Sequence, residues 1–116
     1  MINVYGLKNC DTCRKATAWL NELGVEHAFH DVRAEPLNEK TLRAWLKELG
    51  GKTLVNRRGT TWRDLTPEQQ AKATTASDAC ALLLAHPALM RRPVFDLCTE
   101  RLVGFGENQR RAISKV

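Results

Sequence analysis

The chain has 116 residues, 43% apolar and 27% charged, with 18 basic against 13 acidic side chains and a net charge of +5. That composition describes one globular domain with a single packed core and excludes a collagen-like, low-complexity or disordered chain. Four cysteines are too few for a disulfide-stapled scaffold. Residues 1–6 show neither the basic nor the apolar region of a secretory signal, and no run reaches the length of a membrane span. A cytoplasmic protein with reduced thiols and no membrane association is therefore expected.

In chain order, residues 2–6 are short, apolar and β-branched, which predicts a buried strand. A helix follows over residues 11–23, with Ala16, Trp19, Leu20 and Leu23 spaced i, i+3, i+4, i+7 and Gly24 as its stop. Residues 25–32 read as a second strand. Short connections make this a βαβ unit, so the two strands should run parallel. Asn38 can cap a helix through Leu49, with Leu42, Trp45, Leu46 and Leu49 on one face, and Gly50-Gly51 ends it. Residues 56–60 read as a loop. Thr66-Pro67 places proline at the first position of another helix. Ser77 or Asp78 can cap one more, limited by Pro87. Residues 92–97 and 101–105 predict two further strands joined by a turn at 98–100, and a last helix fits residues 107–114. The order β-α-β, a helical middle, then β-β-α is that of an α/β domain with a small mixed sheet.

The chemistry centres on Asn9-Cys10-Asp11-Thr12-Cys13-Arg14-Lys15. Two cysteines three apart sit between a strand and a helix, where free backbone N–H groups and the helix dipole favour a thiolate. Cys10, at the cap, is the expected nucleophile. Cys13, one turn on, lies within disulfide reach and can resolve a mixed disulfide. Lys8, Arg14 and Lys15 add positive potential and Asp11 opposes it. A strand, a CxxC and a helix in a cytosolic chain read as a thioredoxin-like redox site. In such a fold a cis-proline stands beside the cysteines, which singles out Arg92-Pro93. Arg92 would then face Cys10, available to an anion.

Two alternatives fare less well. His27 and His30 follow the cysteines with a superficial zinc-finger spacing, but the spacing is one residue short. The cysteines also open a helix, and residues three apart on a strand face opposite ways. No metal is expected, and both histidines read as ordinary strand residues. Nucleic-acid binding is not expected either, because no basic stripe is interleaved with aromatics. Cys80 reads as a small core residue, and Cys98 is expected to be a buried structural thiol.

The run from Tyr5 to Ala16 resembles the N-terminal signature of the ArsC/Spx superfamily. Arg58-Gly59-Thr60-Thr61-Trp62-Arg63, the run His86 to Pro93, and Leu102-Val103-Gly104-Phe105 resemble its YffB branch. The resemblance spans essentially the whole chain. It implies a single thioredoxin-like domain over residues 1–116, with a four-stranded mixed sheet and a helical insertion at about 38–90. It also implies a glutathione-dependent thiol–disulfide reductase. Cys10, Cys13 and Arg92 would be catalytic. Lys8, Asn9, Arg14, Asn56, Arg57, Arg58 and Pro93 would line a cleft for glutathione or a disulfide substrate, with no tightly bound cofactor. A monomer is expected. The superfamily offers two other roles. One is an Spx-like redox switch that binds RNA polymerase. The other is arsenate reduction, which uses three arginines around the oxyanion. Of these only Arg92 has a counterpart. The other two positions align with Asn56 and Gly104, and two missing charge-assisted donors should cost several kcal/mol. Arg57 or Arg58 could replace one in part.

Overall fold

A computed structural model describes residues 1–115. The chain divides into two compact units: Met1–Asp31 together with the segment from Arg92 onward, and Val32–Arg91 between them.

The first unit holds a four-stranded sheet in the order β2-β1-β3-β4. β1 (Ile2–Gly6) pairs in parallel with β2 (His27–Asp31) and antiparallel with β3 (Val94–Asp96), and β3 pairs antiparallel with β4 (Arg101–Val103). The crossover from β1 to β2 is α1 (Asp11–Leu23), closed by Gly24 in the left-handed conformation at φ 69°. Glycine adopts that conformation without the steric cost a side chain would add. The strands alternate as the pleat requires: Ile2, Val4 and Gly6 are buried, while Asn3 and Tyr5 on the other face are only partly so. Ile2 and Val4 pack with Ala16 and Leu20 of α1, Phe95 of β3, and Ile113 of α7 (Glu107–Ser114) into one core. Of the predicted α1 stripe, Trp19 lies at the edge of that core and Leu23 is exposed.

The second unit is helical. α2 (Glu39–Leu49) starts where expected, because the Asn38 side chain accepts the Thr41 N–H, the bond that favours asparagine at an N-cap. Its buried residues Leu42, Trp45 and Leu46 face α6 (Ala76–Ala85). Two short helices were not foreseen: α3 (Gly51–Leu54) and α4 (Thr60–Asp64). At four and five residues they carry no readable periodicity. α5 (Pro67–Ala71) has the expected N1 proline and a full capping box between Thr66 and Gln69. The cap of α6 is Thr75, not Ser77 or Asp78. The Thr75 hydroxyl accepts the Asp78 N–H, so Asp78 sits inside the first turn. An antiparallel bridge between Val55 and Met90 ties the middle of the unit to its C-terminal end. Among the described residues no helix is long and apolar enough to cross a membrane.

Candidate active site

The site is built where β1 ends. The chain leaves Gly6 through Leu7, Lys8 and Asn9, and Cys10 becomes the N-cap of α1 in an extended conformation, with φ −93° and ψ 121°. Two bonds fix this turn: Cys10 N–H to the Leu7 carbonyl at 3.2 Å and Lys8 N–H to Asp31 Oδ2 at 3.1 Å. The antiparallel register of β1 with β3 pairs Tyr5 with Val94. Continued outward, it brings Arg92 alongside the turn that carries Cys10. The Arg92–Pro93 peptide is cis, and the buried Pro93 offers its carbonyl to the Gly104 N–H at 2.8 Å.

Cys10 is half-buried and Cys13 is 1% exposed, both as free thiols. Their acidities diverge. Burial resists ionisation of Cys10, but hydrogen bonds from the Cys13 backbone N–H, the Cys13 thiol and the Arg92 guanidinium, with the Arg92 charge, outweigh it and hold the thiol below its ordinary value. The Cys13 N–H approaches the sulfur without the full geometry of a capping bond. Burial pushes Cys13 the other way, up to about 11. The Leu7 N–H resists that rise, and the neighbouring Cys10 sulfur adds to it. Of the two thiols Cys10 is therefore the more readily ionised, and Cys13 stays protonated as a hydrogen-bond donor to it.

The remaining predicted residues fall into two sets. Lys8, Asn9 and Arg14 flank Cys10 but are exposed. Arg14 is engaged by Asp11, and neither Lys8 nor Arg14 contributes to the Cys10 shift. Exposed charges are screened by solvent. Asn56, Arg57 and Arg58 belong to the second unit and are organised there. Asn56 N–H donates to the Leu89 carbonyl at 2.8 Å, Asn56 Oδ1 accepts the Arg58 N–H at 3.0 Å, and the Arg57 guanidinium lies 5.4 Å from the Trp62 ring.

Three other sequence readings meet the structure here. His30 Nε2 bonds Asn3 Oδ1 at 2.9 Å and the ring stacks on Tyr5. His27 Nδ1 bonds the Val25 carbonyl at 2.9 Å. Among the described residues no group of side chains could hold a metal ion. Cys80 is buried, as a core residue should be. Cys98 is a correction: it was expected to be buried and is exposed. It sits in the β3–β4 turn at φ 74°, its N–H bonded to Asp96 Oδ1 at 3.0 Å, and such an Asx turn stands out from the sheet.

Sequence reasoning missed Gly6. A Cβ there would lie 2.4 Å from Cys13 Sγ, so the Cys13 thiol rests directly on the glycine backbone. The available signal was a lone glycine ending a strand pattern, which marks close approach of another group.

Comparison with known proteins agrees with this geometry. A solved structure described as YffB protein superposes with a TM-score of 0.90 at 40% identity, covering 97% of each chain. An uncharacterised Haemophilus influenzae protein is 39% identical over 112 residues, 97% of each chain. The global transcriptional regulator Spx of Streptococcus pneumoniae is 29% identical over 114 residues, 97% of this chain and 84% of the regulator. The mixed sheet with its helical run between β2 and β3 is the thioredoxin-like α/β architecture these neighbours share. The model of the ArsC family matches residues 5–113, and the chain belongs to that family.

Proposed function

We propose that the protein is a cytoplasmic glutathione-dependent thiol–disulfide reductase whose nucleophile is Cys10. The observation that carries this reading is the split acidity of the pair: Cys10 lowered beside Arg92, Cys13 raised to about 11. The Cys10 thiolate attacks one sulfur of a disulfide, forms a Cys10 mixed disulfide and releases the other half as a thiolate. A thiolate must then attack that mixed disulfide. Cys13 is a poor candidate near pH 7, with roughly one molecule in ten thousand ionised at a pKa of about 11. In this reading an external glutathione thiolate is the resolver and Cys13 a supporting second thiol, and the Cys13→Ser variant below separates the two roles.

The test is incubation with glutathione disulfide followed by intact mass and peptide mapping. One glutathione per chain on Cys10 is expected, absent in Cys10→Ser and retained in Cys13→Ser. Full glutathione-dependent reductase activity in Cys10→Ser would overturn the assignment.

The likeness to Spx along 97% of this chain supports a second reading, a redox-switched regulator docking on RNA polymerase. It predicts polymerase retained by the immobilised protein at physiological salt, with an affinity that changes when Cys10 and Cys13 are oxidised.

A further inference from the structure

Beside Cys13 the first unit carries a groove of about 250 Å³. Leu7, Phe29 and Cys13 give it an apolar lining, and Lys8, Arg14 and His27 bring polar groups to it. Among its lining residues none is acidic. The Arg14 charge is shared with Asp11, while Lys8 is exposed at the mouth. His27 Nδ1 is committed to the Val25 carbonyl, which leaves Nε2 as the ring's second hydrogen-bonding atom. The Thr17 hydroxyl donates to the carbonyls of Cys13 and Arg14, so Thr17 is a wall of the groove rather than a donor into it.

Size and sign together restrict the occupant. Sites for drug-sized ligands run from about 300 to 1,000 Å³. This groove is smaller and takes one amino-acid-sized or single-ring group. An apolar lining with cations at the mouth fits an apolar body ending in a carboxylate. Cys13, one of its lining residues, hydrogen-bonds Cys10, and the lining residues Lys8 and Arg14 flank Cys10 in the chain, so the groove neighbours the sulfur that a disulfide substrate would meet.

We propose that this groove is a specificity subsite for disulfides that bear a carboxylate a few bonds from sulfur. Thr17, His27 and Phe29 are its selective walls. The inference rests on Cys10 being the disulfide-attacking thiolate and extends that reading to substrate class. In the step, the Cys10–sulfur bond forms as the substrate S–S bond breaks. The acid-bearing half is retained in the groove and the other half leaves as a thiolate.

The test compares the rate constants of Cys10 with two disulfides: dithiobis(nitrobenzoate), a ring carboxylate on each sulfur, and the uncharged hydroxyethyl disulfide. Thr17→Phe fills the groove without changing any charge. It should lower the ratio of the two rate constants by about tenfold, the low end for one lost pocket contact. A ratio unchanged in Thr17→Phe, with thermal unfolding showing the variant folded, overturns the subsite. A measurement on the unmodified protein covers the case where the variant fails to fold. Benzoate, which has no sulfur, should compete with dithiobis(nitrobenzoate) more than with hydroxyethyl disulfide, and equal effects on both overturn the proposal. Reaction of Cys10 with both disulfides but no turnover with glutathione would sink the glutathione reading and leave the subsite standing.

Discussion

Replacing Gly6 by alanine is the sharpest perturbation of the thiol pair. The added Cβ would sit 2.4 Å from Cys13 Sγ and 3.4 Å from both Cys13 Cβ and Phe29 Cε1. Ordinary non-bonded contact is about 3.5–4.0 Å, so the sulfur must give way by about 1 Å or more. Cys13 is only 1% exposed, so its sulfur cannot shift without disturbing what it touches. Either its side chain rotates or β1 and α1 separate, and both withdraw it from Cys10. Overpacking of this kind costs about 1–3 kcal/mol, which for a chain of this size lowers Tm by about 4–12 °C. The Cys10 thiol, losing the Cys13 contacts that hold it down, moves up toward its ordinary value. Thermal unfolding and the ultraviolet absorbance of the thiolate against pH measure the two effects. The decisive control is the double variant Gly6→Ala with Cys13→Ala, in which the new methyl occupies the space Sγ vacated. The glycine substitution should cost at least about 1 kcal/mol less in that background. Additive losses, or a Gly6→Ala protein with unchanged Tm and unchanged Cys10 titration, would refute the close-packing argument.

Two further outcomes follow from the same geometry. Arg92→Ala removes a hydrogen bond and a charge from the Cys10 thiolate. Alkylation by iodoacetamide at neutral pH should slow on the order of tenfold, its pH profile moving to higher pH, with partial recovery in Arg92→Lys. An unmoved profile would remove Arg92 from the site. Cys13 gives the alkaline limb of stability. Its thiol is raised on folding, so its contribution is fully present below the unfolded value of about 9 and is lost as pH rises toward the folded value of about 11. Between those two values wild type should lose stability faster than Cys13→Ala in denaturant titrations, and parallel curves would contradict the buried, neutral thiol.

The elements most legible in the sequence were those with strong local punctuation. β1, α1 and α7 fall on the expected residues, because a β-branched run, a glycine stop and short helical periodicity act locally. α3 and α4 were invisible because one turn of helix has no period to detect. Asp78 looked like a cap because aspartate favours both the cap and the first turn, and only the backbone tells them apart. Within the site, Cys10 and Cys13 could be read from spacing alone. Placing Arg92 beside them required the fold, since only the β1–β3 register joins residues so distant in sequence. The role of Gly6 depends on a contact with a side chain one loop away, of which a glycine ending a strand pattern is the one local sign. Exposure at Cys98 was misread because a cysteine is usually a core residue, whereas here a turn with positive φ decided its place.

The antiparallel partnership of Asn3 with Asp96 and of Tyr5 with Val94 also has a temporal consequence. β1, the thiol pair and β2 are synthesised before Val32–Arg91, and the strand that delivers Arg92 only after it. Until then Cys10 has only the Cys13 contacts to favour its thiolate and lacks the Arg92 hydrogen bond and charge. Joining the two segments across so long a stretch adds little to the entropic cost of closure, yet it cannot begin before Val94–Asp96 has been made. The Cys10 thiol therefore receives its last stabilising partner only when β3 closes onto β1, as the final step in building the site.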